Sequence, residues 1–261
     1  RAIRREAGAG REQRVLLSEG PTLVRALLTR PIAVYVGEIQ PRDGGVEIDA
    51  ALVLHAGDQR EEIEGAIDRL LELRPADAPA IDEELIEDVA WQRLETPTQA
   101  PAVRWRFLNE YFLVAVGHET PAQLLGRMEG DAPEWLSEIR REHPVEREQS
   151  IAYLNIAGIV ERVRPLAEQK EGWTIAQRLG LPGLDASHMR AGLDNQGFTA
   201  ASHLVTDGQR QGLLALLPHK PLSKRDLRTI PADPLIAIAA RIDAADVWDE
   251  AVRIVGQFNP D

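Results

Sequence analysis

Three times along this chain, two runs of alternating apolar residues flank a short cluster of turn-forming residues. Strands joined by connections this short can pair only antiparallel, so the pattern restricts the fold to sheets built from hairpins. In the first, "PIAVYVGEI" (31–39) is followed by Arg42-Asp43-Gly44-Gly45, residues that tolerate the positive φ of a tight turn. The returning strand "VEIDAALVLH" places Val46, Ile48, Ala50, Leu52 and Leu54 on one face. In the second, Val103, Trp105 and Phe107 alternate with Arg104 and Arg106 before the chain turns at Leu108-Asn109-Glu110. In the third, Asp194-Asn195-Gln196-Gly197 forms the turn, and Phe198, Ala200, Ser202 and Leu204 share a face of the returning strand.

Helical spacing links these hairpins. An amphipathic helix is predicted over Glu12 to Thr29, carrying Val15, Leu16, Leu23, Leu27 and Leu28. After the first hairpin, "GDQREEIEGAIDRLLEL" sets Ile63, Ile67, Leu70 and Leu71 in an apolar stripe, with Asp58 placed as its N-cap. "IDEELIED" (81–88) reads as the solvated side of a helix carrying Ile81, Leu85, Ile86 and Val89, and a further helix spans Thr120 to Met128. "GLLALL" is too short for its periodicity to separate a helix from a buried strand.

Two single strands lie outside the hairpins. Residues 150–166 and 235–255 align at an offset of 87, matching Ile151 with Ile238, Ala152 with Ala239, Ala157 with Ala244 and Val160 with Val247. Each strand ends near a short acceptor, Asn155 or Asp243, suited to cap the helix that follows. From this weak internal repeat the last 34 residues are expected to open a further module, and the chain to be one contiguous fragment of a longer protein. The break "EHPVEREQ" divides a first α+β half, 1–147, from a second, 148–261. The expected architecture is α+β, with mainly antiparallel hairpins in one or two sheets and helices packed on one face.

At 261 residues and 44% hydrophobic content the chain can bury a substantial core. Thirty Lys and Arg against 42 Asp and Glu give a net charge of −12, the wrong sign for broad phosphate neutralisation, so nucleic acid is not an expected partner. Cysteine is absent, which excludes disulfides, thiolate metal sites and a Cys nucleophile. No apolar run approaches the roughly 20 residues that span a bilayer. The chain begins at Arg1 rather than Met, so any membrane anchoring would come through a segment outside it.

No motif for a cofactor or a known catalytic constellation is present: no Gly-x-Ser-x-Gly, no His-Glu-x-x-His and no phosphate loop. "GAGRE" (8–12) lacks the preceding strand and the Lys-Ser/Thr of a phosphate loop and reads as a frayed N-terminus. His118-Glu119, between a strand and a helix, has the residue types of an acid/base pair but equally those of a helix start. Ser187 beside His188 and Asp185 has the residue types of a nucleophilic triad, but triads are assembled from distant segments. His188 and His203 lie on the two arms of one hairpin, with His219 shortly after, and three imidazoles that converge make a zinc site. Trp91, Trp105 and Trp135 would form a binding platform if exposed on one face, and plug the edges of modules otherwise.

Three stretches carry a resemblance: "RPIAVYVGEI", "SIAYLNIAGIVERV" and "RQGLLALLPHKPLSKRDLRTIPADPLIAIAARID". In order from Arg30 to Val255 they resemble an uncharacterised family of bacterial exported or envelope-associated proteins with tandem α+β modules, including a Pro231-Ala232-Asp233 lead-in to a strand. The resemblance implies an exported, periplasmic or envelope setting and supplies no catalytic residues. The expected function is therefore a non-enzymatic binding or structural domain contacting protein or a cell-surface polymer. The alternative is a hydrolase or a metal-dependent enzyme using the His188, His203 and His219 region.

Overall fold

The computed structural model describes residues 2–42, 45–75, 77–96, 101–168, 172–208 and 222–228, with single positions at 245, 248, 249, 252 and 256. The fold is α+β with two antiparallel sheets. The chain divides into two compact units, Arg1–Asp131 and Ala132–Asp261. The division falls before the helix that leads into "EHPVEREQ" rather than within that stretch, because the helix is tied to the second sheet.

The first unit runs α1 (Ala2–Thr29), β1 (Ile32–Arg42), β2 (Gly45–His55), α2 (Arg60–Leu71), β3 (Ile81–Ile86), β4 (Val89–Leu94), β5 (Val103–Leu108), β6 (Tyr111–Val116) and α3 (Thr120–Glu129). Its six strands are ordered β1-β2-β6-β5-β4-β3. The first hairpin pairs Ile32 with Leu54 and Val34 with Leu52, and β5 and β6 turn through Asn109, whose φ is 51°. Side chains alternate across β2 and feed two cores. Leu52 and Leu54 pack with Ala26 of α1 and Ile63 of α2, whereas Ala51 joins Trp91, Leu113, Ala115 and Leu124 of α3. Helices thus meet both faces of this sheet.

Several sequence expectations are corrected here. Residues 81–86 form a strand, not a helix, and pair with β4 through a two-residue turn in which Glu87 and Asp88 have φ of 53° and 61°. The apolar spacing of that segment fits either periodicity, and pairing with the strand that carries the buried Trp91 decides the outcome. Asp58 does not cap α2; its carboxylate pairs with the Arg30 guanidinium, and Gln59 occupies the N-cap position. "GAGRE" lies within α1 rather than in a frayed terminus. That helix contacts the unit through Leu23 and Ala26 and leaves Leu16 and Leu28 exposed.

The second unit contains α4 (Glu134–Glu142), β7 (Arg147–Asn155), α5 (Ile156–Glu168), α6 (Gly172–Leu179), β8 (Leu184–Leu193), β9 (Phe198–Thr206) and a short α7 (Lys224–Leu227). Its sheet has the order β7-β8-β9. Asn155 caps α5 as its position suggests, accepting the Gly158 N–H at 2.8 Å. Asp194 organises the β8–β9 turn: its Oδ1 accepts the N–H groups of Gln196 and Gly197, and its Oδ2 accepts the Thr199 hydroxyl. "GLLALL", His219 and the strand of the second repeat copy lie outside the described residues.

Candidate metal centre

Burial alternates along β8. Ala186, His188, Arg190 and Gly192 are buried, whereas Asp185 and Met189 are exposed, so the inward face of a central strand carries two ionisable side chains. Antiparallel register sets His203 of β9 directly opposite His188, and Tyr153 of β7 opposite it on the other side. Residues one apart on a strand point to opposite faces. Asp185 and Ser187 therefore project away from the face that carries His188, and the three do not form a triad.

The element that meets this face is the end of α4. Proline at 144 bars the α conformation for the residue before it, so the helix stops and His143 takes φ −126° and ψ 74°. His143 thereby reaches the strand histidines. Its ring centroid lies 5.4 Å from that of His188 and 5.3 Å from that of His203, while His188 and His203 are 5.0 Å apart. Glu142, the last residue of α4, completes the group: one ligand atom from each of Glu142, His143, His188 and His203 lies within 4.8 Å of all the others.

Two clamps hold α4 in place. Trp135, on its first turn, stacks on Tyr153 of β7 with ring centroids 4.7 Å apart and 12° between the planes. At the other end the buried Arg190 donates to the backbone carbonyls of Arg140 and His143 and, at 2.6 Å, to Glu148 of β7. Glu148 also accepts from Arg140, and these guanidinium hydrogen bonds hold its carboxyl below the usual carboxylate range, Arg140 contributing most. Arg190 thus fixes the backbone on which His143 is mounted, as the groups behind a metal ligand commonly do.

The electrostatics of the cluster match a metal site. Burial, reinforced by the neighbouring His203 and His143, lowers the pKa of His188 below its ordinary value, with Glu142 opposing the shift. The imidazole is therefore neutral at pH 7, the form that ligates metals. The Nε2 atoms of both His143 and His188 are buried and have no hydrogen-bond partner. Such orphaned atoms cost about 1–3 kcal/mol each when nothing satisfies them. Ligands around a tetrahedral zinc with bonds of about 2.0 Å sit roughly 3.3 Å apart, so small side-chain rotations would close the observed arrangement.

The structure sets His188 and His203 side by side, which their positions on the two arms of one hairpin did not by themselves guarantee. The other two members of the cluster, His143 and Glu142, were not singled out in the sequence; a His-Pro pair ending a helix just before a strand was the available signal. Trp91 is fully buried, which removes it from any exposed platform, and its ring packs in the core opposite α3. Trp105 lines an apolar hollow in the first unit, and Trp135 is engaged with Tyr153 in the second. His118 and Glu119 are exposed, and Glu119 occupies the N-cap position of α3. No helix among the described residues is long and apolar enough to cross a membrane. Comparison with family models, with curated proteins and with solved structures finds no match to this chain.

Proposed function

We propose that the chain is a metal-binding domain in which His143, His188, His203 and Glu142 hold one divalent transition-metal ion. The observation that carries this reading is the pair of buried, unpartnered Nε2 atoms within a four-residue ligand set. Imidazole and carboxylate donors without thiolates suit zinc and its neighbours better than calcium or magnesium. Four protein ligands fill a tetrahedral shell and leave no open position, the arrangement of structural rather than catalytic zinc. The ion would join the end of α4 to the β8–β9 hairpin, which supports a non-enzymatic binding or structural role. An exported or envelope setting rests on the sequence resemblance alone.

Protein purified without a histidine tag, stripped with chelator and titrated with Zn²⁺ should bind one equivalent. Alanine at His143, His188 or His203 should each weaken binding by about a hundredfold, while His118→Ala in the other unit should leave it unchanged. Stoichiometric binding that survives all three ligand substitutions would refute the site. A second reading rests on the exposure of Glu142. If it stays off the ion, three histidines hold zinc with a bound water and Glu142 acts as its general base. Zinc-dependent hydrolysis of activated esters or phosphate esters that is lost in Glu142→Gln, with zinc affinity retained, would favour that alternative.

A further inference from the structure

The two edges of the six-stranded sheet differ in kind. β3 is six residues long and carries the exposed carboxylates of Asp82 and Glu83, the short, charged form that discourages pairing with another strand. β1 is 11 residues long, and its stretch from Ile32 to Gly37 contains neither a charge nor a proline. Its outer side has no strand partner among the described residues. On the sheet face that carries Leu52, the side chains of Ile32, Val34 and Val36 are 43%, 68% and 58% exposed, so the helices on that face leave them largely uncovered.

Register shows which backbone groups of β1 are free. Residue pairs in an antiparallel ladder alternate between those that exchange hydrogen bonds and those that do not. The His55 N–H donates to the Pro31 carbonyl at 2.9 Å, so the hydrogen-bonded positions step on to Ala33–Val53 and Tyr35–Ala51. The other side of β2 agrees, since the Ala56 N–H donates to the carbonyl of Glu110, just before β6, and this sets the backbone groups of Leu52 and Leu54 toward β6. Ile32, Val34 and Val36 therefore direct both N–H and C=O to the open edge.

We propose that this edge pairs antiparallel with the same edge of a second copy, about a twofold axis at Val34. The free positions are symmetric about that residue. In this register Val34 meets Val34 of the second copy, Ile32 meets Val36, and each pair exchanges two hydrogen bonds while its β-branched side chains lie together on one face. Registers shifted either way set one of these residues against the bulge at Gly37 or beyond the start of the strand at Ile32. This self-matching pattern selects a second copy over an unrelated strand. Charge agrees: in a chain of net charge −12, an uncharged stretch lets two copies meet without setting carboxylates opposite one another. Because the β3 edge is guarded by its acids, pairing closes at two copies and does not propagate along the sheet.

The test is sedimentation velocity of the full chain, with chelator present so that metal bridging plays no part. A monomer–dimer equilibrium should develop as the concentration approaches about 100 µM, as a small interface gives. Val34→Pro removes an N–H that β2 does not use, so the far-ultraviolet spectrum should hold while dimerisation weakens at least about tenfold, the worth of the two central hydrogen bonds. Because the chain has no cysteine, Val34→Cys supplies a lone thiol. Hydrogen-bonded partners lie about 5.5 Å apart at Cα, within disulfide reach, so mild oxidation should cross-link that variant as a dimer. Leu85→Cys, at a position 71% exposed on β3, should stay monomeric under the same oxidation. A monomer at every concentration would overturn the proposal and leave the edge to a strand of another protein. A dimer that Val34→Pro leaves intact, or equal cross-linking by both cysteine variants, would overturn it as well.

Discussion

His188 concentrates the chemistry of the second unit in one side chain. Its pKa lies below the ordinary value because the ring is buried and faces His203 and His143, while Glu142 favours the charged form. A histidine with a depressed folded-state pKa binds its proton more readily in the unfolded chain. Its contribution to stability is complete above the unfolded value of about 6.5 and is lost as pH falls through the folded value. Urea melts of the metal-free chain should therefore show stability falling between pH 7.5 and 5.5, with a shallower fall in His188→Gln. An unchanged slope in that variant would mean that another group titrates in this window. Glu148, whose pKa is held below the carboxylate range, stays ionised throughout it. Zinc affinity should fall over the same interval, because protons compete for the imidazoles.

The elements that present the site owe their placement to close backbone approach. At Gly192 on β8, a Cβ would overlap the carbonyl oxygen of Arg147 and lie 2.7 Å from Val145 Cγ1. The nearer of these contacts is backbone of the paired strand β7 rather than the far end of a flexible side chain. Gly192→Ala should destabilise the second unit by about 2 kcal/mol, as overpacking does, and weaken zinc binding by moving the segment that carries His143. Urea unfolding and zinc titration of the variant check both; wild-type values for each would show that the strand can shift without cost. The hairpins were legible at this scale because alternation and turn chemistry are local properties. Asp194 and Asn155 fulfil the turn and capping roles that their positions suggested. Residues 81–86 were misread because Ile81, Leu85 and Ile86 suit a helix stripe as well as a strand, and only pairing with β4 separates the two.

Each of the two units has its own sheet, and the proposed ligand set lies wholly in the second. Local opening should therefore respond locally to metal. Hydrogen exchange followed by mass spectrometry should show zinc slowing exchange across α4, β8 and β9 and leaving β1 to β6 at their metal-free rates. Equal protection of both sheets would instead make the chain one cooperative unit. The acidic surface implied by a net charge of −12 adds long-range attraction for cations. It does not select among them; in the proposed site the imidazole set would do that.

The sequence by itself determined the α+β class, the hairpins and their turns, because two-residue periodicity and turn residues are local properties; it put His188 and His203 on the two arms of one hairpin, and the register of the folded sheet set them opposite one another. The sequence also excluded thiolate chemistry, since there is no cysteine. Only the tertiary structure brought the imidazole of His143 to this pair. His143 and His188 are far apart in sequence, and their contact depends on Arg190 and Trp135 holding α4 against the sheet. Burial was likewise a tertiary outcome: Trp91 and Trp105 sit on strands of similar pattern, yet one fills a core and the other lines a hollow. Which face of a strand meets a helix, and how completely the helix covers it, depends on packing between distant segments and not on any local run of residues.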